Sequence, residues 1–276
     1  MVSKSYLKGS YEPVNIALLT GRGGSKSITK KNVMPVLGRP LATYPILSAL
    51  NATKIDKVYI STDCSDLKAL AREYGVTVIE RPEEISGDRS ELAHALEHAL
   101  KTIGTEVEYL VSLHCNCGTH RPGLIDACLE TLEHNPEADA CVTGLVDKSV
   151  HPYRTRQVTE DGRLLPWSDI PQTTSSNRQT MTPCFLLDGA ARAMRVSSCF
   201  PLRGPQPFPY LGEHTLFVEN DGGLDIHSPE DVLLTEVYLR RHTSRIWSGD
   251  SVFPRTLCRK PGERNEAAFG RCLAST

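Results

Sequence analysis

The stretch VNIALLTGRGGSKSITKKN (residues 14–32) joins an apolar run to a loop rich in glycine and cations. The apolar run VNIALLT (14–20) predicts a strand buried in a parallel sheet. The loop then places Gly21, Gly23 and Gly24 where the backbone has room for positive φ and for close approach by a ligand. Its N–H groups can therefore turn towards an anion.

The cationic side chains of this loop indicate that the anion is a phosphate chain. They are Arg22, Lys26, Lys30 and Lys31. The pattern is not the Walker A motif GxxxxGK[ST], and Lys26 stands where the dinucleotide motif GxGxxG has its third glycine. A flexible basic surface loop is the alternative interpretation, and the position directly after the first strand argues against it.

Strands and helices alternate through the first half of the chain. Further strands are predicted at 56–63, 76–82, 108–116 and 139–147. Helices are predicted at 41–53, 65–75, 90–103 and 122–135, with Ser90 as the expected cap of the third. This alternation indicates βαβ units and an α/β fold with a mostly parallel sheet. Ligands of such sheets bind beyond the carboxyl ends of the strands, where the glycine-rich loop begins.

The pattern changes in the second half. A Glu-Asp-Gly turn predicts a hairpin at 151–167, and residues 168–183 are polar and irregular. Further elements are a strand at 183–195 that crosses back into the sheet, a strand at 214–220 and a helix at 229–242. We expect an N-terminal extension (1–13), one domain (14–242) and a C-terminal tail (243–276), the tail because periodicity is lost there.

Composition narrows the class of protein. The formal net charge of the 276 residues is −2, so no global field draws the chain to nucleic acid or to an anionic membrane. The first residues lack the apolar core of a signal peptide, and no apolar run approaches the ~20 residues of a membrane span. The nine cysteines lack zinc-ribbon spacing, which favours free thiols in a reducing cytoplasm.

The loop GRGGSKSITKKN resembles the ARGGSKGIPRKN signature of the CMP-sugar synthetases, a family that includes the acylneuraminate, legionaminic acid and pseudaminic acid cytidylyltransferases. Similar segments follow in the family's order: GRPLATYPILSAL, VYISTDCSDLKALAREYGVTVIERPEEISGD, NRQTMTPCFLLDG and GLDIHSPEDVLLTE. The resemblance runs from about residue 14 to 242. It implies a Rossmann-like nucleotidyltransferase fold, a three-layer α/β sandwich with a small hairpin arm.

By this resemblance the reaction is the transfer of CMP from CTP to an acceptor oxygen, with loss of pyrophosphate. Arg22 and Lys26 would be catalytic, as would Asp225. The triphosphate would be held by Arg22, Gly23, Gly24, Ser25, Lys26, Lys31 and Asn32. Arg81 would meet the cytosine, with Ser90 and Asp88 completing the base pocket; a structural strand-end arginine is the alternative for Arg81.

The resemblance also implies Mg²⁺. Asp225 matches the first aspartate of the family's DID metal motif, and His227 stands in place of the second. Carboxylates are the preferred ligands of Mg²⁺, so this exchange leaves the metal geometry open. A turn-forming role is the alternative for Asp225, and Asp63 is a second acidic candidate.

The departures from the family pattern lie on the acceptor side. His114 replaces a glutamine that faces both substrates in the family, Asp188 replaces an asparagine, and Leu186 stands where a basic residue is expected. The acceptor would be bound by His114, Asn116, Arg154, Arg178, Gln179 and Asp188. His151 and Arg156 would add further positive charge.

Several acceptors fit these departures. A nonulosonic acid of the sialic or legionaminic type is the first expectation, and a small phosphonate such as phosphonoformate is the second. Deoxy-octulosonate and other sugar acids remain open, as does a catalytically silent CTP-binding module. By resemblance, residues 148–183 form a dimerisation arm over the partner's acceptor pocket, which implies a homodimer; a plain surface hairpin is the alternative.

Overall fold

A computed structural model describes residues 12–24, 28–147 and 150–246, the side chains of 243–246 excepted. It has eleven strands and six α-helices over these ranges. The strands are β1 (Val14–Thr20), β2 (Pro35–Val36), β3 (Arg39–Pro40), β4 (Lys57–Thr62), β5 (Thr77–Glu80), β6 (Val107–His114), β7 (Ala140–Val146), β8 (Arg156–Val158), β9 (Leu164–Pro166), β10 (Phe185–Arg195) and β11 (Thr215–Glu219). The helices are α1 (Thr43–Asn51), α2 (Ser65–Glu73), α3 (Leu92–Ile103), α4 (Leu124–His134), α5 (Val196–Cys199) and α6 (Pro229–Ile246).

Seven strands form the central sheet in the order β11-β7-β10-β6-β1-β4-β5. Strand β1 pairs in parallel with β4 and with β6, and β4 pairs in parallel with β5. Strand β10 enters between β6 and β7 and runs antiparallel to both. The predicted crossing strand and the mostly parallel sheet are therefore confirmed.

Both faces of the sheet are covered, because the central strands are apolar on both sides. Ala17 and Leu19 pack with α1, α2 and α4 in one hydrophobic cluster. Ile16 and Leu18, which alternate with them along β1, pack with α3 and α5 in another. Each fully buried Leu or Ile side chain contributes about 1.5–3 kcal/mol. The result is the expected three-layer α/β sandwich.

The cap of α3 and the end of α6 differ from the sequence prediction. Ser90 does not cap α3: its backbone N–H donates to Gly87 O, and the N-cap position is Glu91, without a side-chain cap. Helix α6 continues to Ile246, four residues into the predicted tail. The remainder of that tail and most of the predicted extension lie outside the described residues.

The hairpin predicted after residue 150 is present. Strands β8 and β9 pair antiparallel, apart from the central sheet. Their turn contains Gly162 at φ +80°, which glycine adopts readily. Among the described residues, no helix is both long and apolar enough to cross a membrane.

Candidate active site

The carboxyl ends of neighbouring strands meet at one edge of the sheet. Thr20, the last residue of β1, pairs with Ser61 on β4 and with His114, the last residue of β6. Thr62 in turn pairs with Glu80 at the end of β5. The loops that leave these strands therefore lie side by side, in the position where α/β sheets bind ligands.

A cavity of about 310 Å³ opens at this edge. It is walled by the glycine-rich loop, the start of α3 and the end of β6. It brings together the predicted site residues Arg22, Lys31, Asn32, Arg81, Ser90, His114 and Asn116. A second cavity, of about 340 Å³, includes Arg22, Gly23, Lys31 and Asn32.

Space, and not a special backbone conformation, explains the first glycine of the loop. A Cβ on Gly21 would lie 2.8 Å from atoms of Cys115 and Leu67. Gly21, Gly23 and Gly24 would permit positive φ, but none of them adopts it. Among the described residues of the loop, Lys30 has a left-handed backbone, at φ +54°.

Hydrogen bonds tie the loop to neighbouring strands. Gly23 N–H donates to Asp63 Oδ1 (2.9 Å), so in this structure it is engaged by a carboxylate. Asn32 Nδ2 donates to the carbonyl of Arg22 (3.1 Å). Asn32 therefore shapes the loop around Arg22 as well as lining the cavity.

An ion pair with Asp88 holds Arg22 at the cavity. Its Nη1 lies 2.5 Å from Asp88 Oδ1, and about a third of each side chain is exposed. A partly exposed ion pair contributes only about 0–1 kcal/mol, so a phosphate can displace the carboxylate at small cost. The guanidinium fork is suited to bidentate binding of phosphate oxygens.

Arg81 is fixed more firmly. Its Nε donates to Ser61 Oγ (3.1 Å) and its Nη2 donates to Ser61 O (2.7 Å). Burial lowers the pKa of Arg81, although a guanidinium remains charged at neutral pH. The residue is thus a preorganised cation on the wall of the cavity, as a base-binding role requires.

Lys31 and Asp225 come from opposite ends of the sequence and share this site. Burial lowers the pKa of Lys31, and the charge of Asp225 acts in the opposite direction. Burial by itself raises the pKa of Asp225, but the imidazole of His114 and the charges of Arg192 and His227 outweigh it and lower that pKa. Asp225 is therefore ionised at neutral pH.

The position of Asp225 depends on Gly189, a glycine of β10. A Cβ on Gly189 would lie 2.0 Å from Asp225 Oδ1, so only glycine leaves room there. Oδ1 is buried and has no hydrogen-bond partner in the described part of the chain. The other oxygen, Oδ2, lies 3.6 Å from His114 Nδ1.

The structure gives Asp188 a task other than acceptor binding. Its Oδ1 accepts hydrogen bonds from Thr143 Oγ1 and from Ala190 N, and its Oδ2 accepts one from Asn220 Nδ2 (2.7 Å). Both oxygens are therefore used to join β7 and β10 to the segment after β11. Asp188 thus has a structural role in this chain, and its role in acceptor binding stays a prediction from the resemblance.

Sequence reasoning did not single out Arg192, a charged residue within β10. Its side chain is buried (8% exposed), and its Nη1 donates to His114 Nε2 (3.1 Å). The signal for it in the sequence is an arginine in the otherwise apolar run AARAM (190–194). Such a residue is costly to bury without a polar partner, so its presence indicates a site.

Comparison with known proteins agrees with this geometry. A sequence profile described as cytidylyltransferase matches residues 16–169, more than half of the chain. The chain belongs to the cytidylyltransferase family. The resemblance found in the glycine-rich loop is thereby confirmed.

Curated relatives within this family are named for their action on sugar acids. The N-acylneuraminate cytidylyltransferase of Escherichia coli O18:K1:H7 is 36% identical over 93 residues, which are 34% of this chain and 22% of that protein. The Helicobacter pylori protein named pseudaminic acid cytidylyltransferase and UDP-2,4-diacetamido-2,4,6-trideoxy-beta-L-altropyranose hydrolase is 26% identical over 168 residues, or 60% of this chain and 32% of its own. The matched stretches thus cover about a fifth to a third of these relatives.

A solved structure shares the fold. The CMP:2-keto-3-deoxy-manno-octonic acid synthetase complexed with CTP superposes with a TM-score of 0.60, over 83% of this chain and 99% of that one. The identity is 14%, so the likeness concerns the fold alone. It confirms a Rossmann-like nucleotidyltransferase architecture.

One carboxylate of the structure, Asp225, fits the magnesium site that the resemblance implies. Among the described residues, no group of three or more His, Cys, Asp or Glu side chains is arranged to hold a metal ion. Mg²⁺ is commonly bound by one or two carboxylates together with substrate phosphates. Asp225 supplies one such carboxylate beside the cavity, and His227 is an exposed neighbour. This donor set fits an ion that arrives with the nucleotide.

The predicted acceptor residues of the arm are not at the cavity in this chain. Arg154, Arg178 and Gln179 line neither of the two cavities. Arg154 Nη1 donates to Ser176 O (3.4 Å), within the same segment. Their proposed role depends on a second subunit.

Two predicted phosphate ligands, Ser25 and Lys26, lie outside the described residues. Their roles stay predictions from the resemblance.

Proposed function

We propose that this protein is a CTP-dependent cytidylyltransferase that joins CMP to an acidic acceptor and releases pyrophosphate. The observation that carries the proposal is the meeting of Arg22, Lys31 and Arg81 at one cavity, with Asp225 close to Lys31. Cations and one carboxylate at the carboxyl edge of a parallel sheet are what a nucleotide and its metal ion require.

The cations serve the triphosphate in the proposed reaction. An acceptor oxygen attacks the α-phosphorus of CTP, and a new P–O bond forms. The bond from the α-phosphorus to the oxygen that bridges to the β-phosphorus breaks, and pyrophosphate carries that electron pair away. Arg22, Lys26 and Lys31 stabilise the negative charge on the phosphate oxygens as this happens.

Asp225 would hold the magnesium ion, and His227 is a candidate second ligand. When bound, the ion would neutralise phosphate charge and orient the leaving group. Arg81, fixed by Ser61, would hold the cytosine end, with Ser90 beside it on the cavity wall. Turnover then depends mainly on positioning and charge, which is typical of phosphoryl-group transfer.

The acceptor in this proposal is a nonulosonic acid. The support comes from two relatives, which are named as cytidylyltransferases of N-acylneuraminate and of pseudaminic acid. A small phosphonate is the second candidate, because His114 lines the cavity where the family has a glutamine. Asn116 lies on the same wall and would contact either acceptor.

A homodimer is part of the proposal. The hairpin arm exposes large apolar side chains, among them Val158 (74%), Leu164 (64%) and Trp167 (64%), which a partner subunit would cover. Dimerisation would also bring Arg154 and Arg178 to a partner's acceptor site. Light scattering at micromolar concentration tests this, and a particle of about one chain mass (30.4 kDa) would contradict it.

A cytoplasmic location is likewise proposed. The seven cysteines in the described ranges are all free thiols, which suits a reducing compartment. Fractionation of the source cells with detection of the protein tests the location. Recovery from an extracellular or periplasmic fraction would contradict it.

The test of function is pyrophosphate release from CTP and Mg²⁺ with a panel of acceptors: N-acetylneuraminate, legionaminate, deoxy-octulosonate, phosphonoformate and none. ATP, GTP and UTP in place of CTP are the nucleotide controls. Release with a nonulosonic acid supports the proposal in full, and release only with phosphonoformate moves it to the second acceptor. CTP binding by calorimetry without release under any acceptor would indicate a silent nucleotide-binding module.

A further inference from the structure

Three polar side chains from different parts of the chain lie in a row beside the cavity. Arg192 Nη1 is 3.1 Å from His114 Nε2, and His114 Nδ1 is 3.6 Å from Asp225 Oδ2. Arg192 lies within β10, His114 ends β6 and Asp225 precedes α6. The row thus connects the middle of the sheet with the carboxylate proposed to hold the metal ion.

Arg192 is unusual for a buried cation. It is 8% exposed, and among the described residues no carboxylate lies within ion-pair distance of its guanidinium. Its described hydrogen bonds run to His114 Nε2 and to Asp188 O (3.3 Å), and its Nε has none. Buried charges are normally paired, so the contact with His114 calls for an explanation.

The chemistry of the pair determines where the imidazole proton lies. A guanidinium carries only donors, so at the Arg192 contact the nitrogen of His114 has to accept. The ring proton is then on Nδ1, the nitrogen that faces Asp225 Oδ2. In the other tautomer, an N–H of the ring would face an N–H of Arg192, and Asp225 would face a lone pair.

We infer that Arg192 is a positioning residue that locks His114 in the Nδ1–H tautomer, through which Asp225 Oδ2 is oriented at the cavity. Burial of Oδ1 against Gly189 leaves Oδ2 as the oxygen whose direction this row controls. The effect on turnover rests on the proposed function. The effect on the tautomer does not.

The direct test is a long-range ¹H–¹⁵N NMR spectrum of protein labelled with ¹⁵N-histidine, recorded at pH 8 without nucleotide. The shifts of the two ring nitrogens identify the tautomer, and His114→Gln assigns the signal by its loss. We expect Nδ1–H in the natural protein and in Arg192→Lys, which keeps a donor-only cation. Arg192→Met should move the ring towards Nε2–H.

Kinetics provide the second readout. Arg192→Met should lower kcat for pyrophosphate release by about 10- to 100-fold, the usual cost of losing a residue that orients a metal ligand. KM for CTP should stay within about twofold, because Arg192 does not line the cavity. Arg192→Lys should recover part of kcat.

Arg195→Met is the matched control. Arg195 lies on the same strand and donates to Tyr109 Oη (2.7 Å) and to Leu132 O (2.9 Å), away from the cavity. Its loss should lower the Tm and leave the His114 tautomer unchanged. If Arg192 had a purely structural role, Arg192→Met would likewise lower the Tm and leave the His114 tautomer unchanged. That result would overturn the inference.

An Nε2–H tautomer of His114 in the natural protein would also overturn it, even if Arg192→Met fails to fold. The Arg192→Lys spectrum then serves as the variant, and an Nε2–H signal there contradicts the inference again. If no acceptor supports pyrophosphate release while the tautomers behave as expected, the proposed function fails and the positioning of His114 stands.

Discussion

The two ends of the site are built differently. At the nucleotide end, loops from adjacent parallel strands bring Arg22, Lys31 and Arg81 to one cavity. At the acceptor end, the crossing strand β10 carries Asp188 and Arg192, whose side chains bond mainly within the protein. The proposed nucleotide end is thus formed within one chain, whereas Arg154, Arg178 and Gln179 of the proposed acceptor end line neither cavity.

The difference follows from topology. The carboxyl ends of parallel strands lie at the same edge of the sheet, so the short loop after each strand can supply a residue that binds the ligand. An antiparallel strand between β6 and β7 reverses this order, and its Arg192 is buried. Three predicted acceptor residues, Arg154, Arg178 and Gln179, lie on an arm that exposes several large apolar side chains in the single chain.

The largest effect is expected from the loop. Lys26→Ala should lower turnover by about 10²- to 10³-fold, because the variant loses the positive charge that stabilises the transferred phosphate. The fold should be kept. Pyrophosphate release measures the turnover, and a thermal melt tests whether the fold is kept. Lys57→Ala, an exposed lysine at the amino end of β4, is the control with expected normal rates. Near-normal turnover in Lys26→Ala would break the view that the nucleotide end carries the chemistry.

Asp225→Asn should have the next largest effect. We expect a rate about 10²-fold lower and a much weaker dependence on Mg²⁺, because the amide is a poor magnesium ligand. CTP binding in the absence of metal should change little. Rates across a magnesium titration measure this. Asp221→Asn, an acid of the same segment that bonds Tyr238, is the control. A mutant with unchanged magnesium dependence would remove Asp225 from the metal site.

A smaller and more selective effect is expected from the arm. Arg178→Ala should raise KM for the acceptor by about tenfold, the value of one lost contact of ~1.4 kcal/mol, with KM for CTP unchanged. Steady-state kinetics with each substrate varied measure both constants. Arg163→Ala, an arginine paired with Asp161 in the same hairpin, is the control. Equal rises in both constants would contradict a division between the two ends.

The smallest effect is expected away from both ends. Asp139, at the amino end of β7, accepts hydrogen bonds from Glu213 N (2.8 Å) and His214 N (2.9 Å). Burial acts to raise the pKa of Asp139, but these N–H groups and Ser198 outweigh it and lower that pKa below its ordinary 3.8. The stabilisation is therefore complete above pH 3.8 and lost as the pH falls through the lowered value.

Asp139→Asn should thus lower the Tm at neutral pH by a few degrees, and the difference should shrink in acid. Thermal melts from pH 7 to pH 2 measure it, and kcat and KM should be normal. Glu137→Gln, an exposed neighbour, is the control. A difference that grows in acid would show that the carboxylate is not the stabilising form.

The sequence was informative where local pattern and structure coincide. The apolar run 14–20 coincides with β1 at both ends. A strand that is buried on both faces is apolar along its length, so its bounds can be seen in the sequence. The alternating half of the chain was predicted to within a few residues for the same reason. The prediction that Ser90 caps α3 was wrong, because the N–H of Ser90 donates to Gly87 O in a turn.

The sequence by itself determined the α/β fold, the cation-rich loop and the candidates Arg22, Lys31, Asn32 and Arg81, because these follow from periodicity and from motifs in short windows. Tertiary structure alone decided that Asp188 accepts hydrogen bonds from Thr143 and Asn220, that Arg192 contacts His114, and that His114 in turn faces Asp225. Those contacts join residues far apart in the chain. Their partners are set by the register of β6, β7 and β10, which no local window contains.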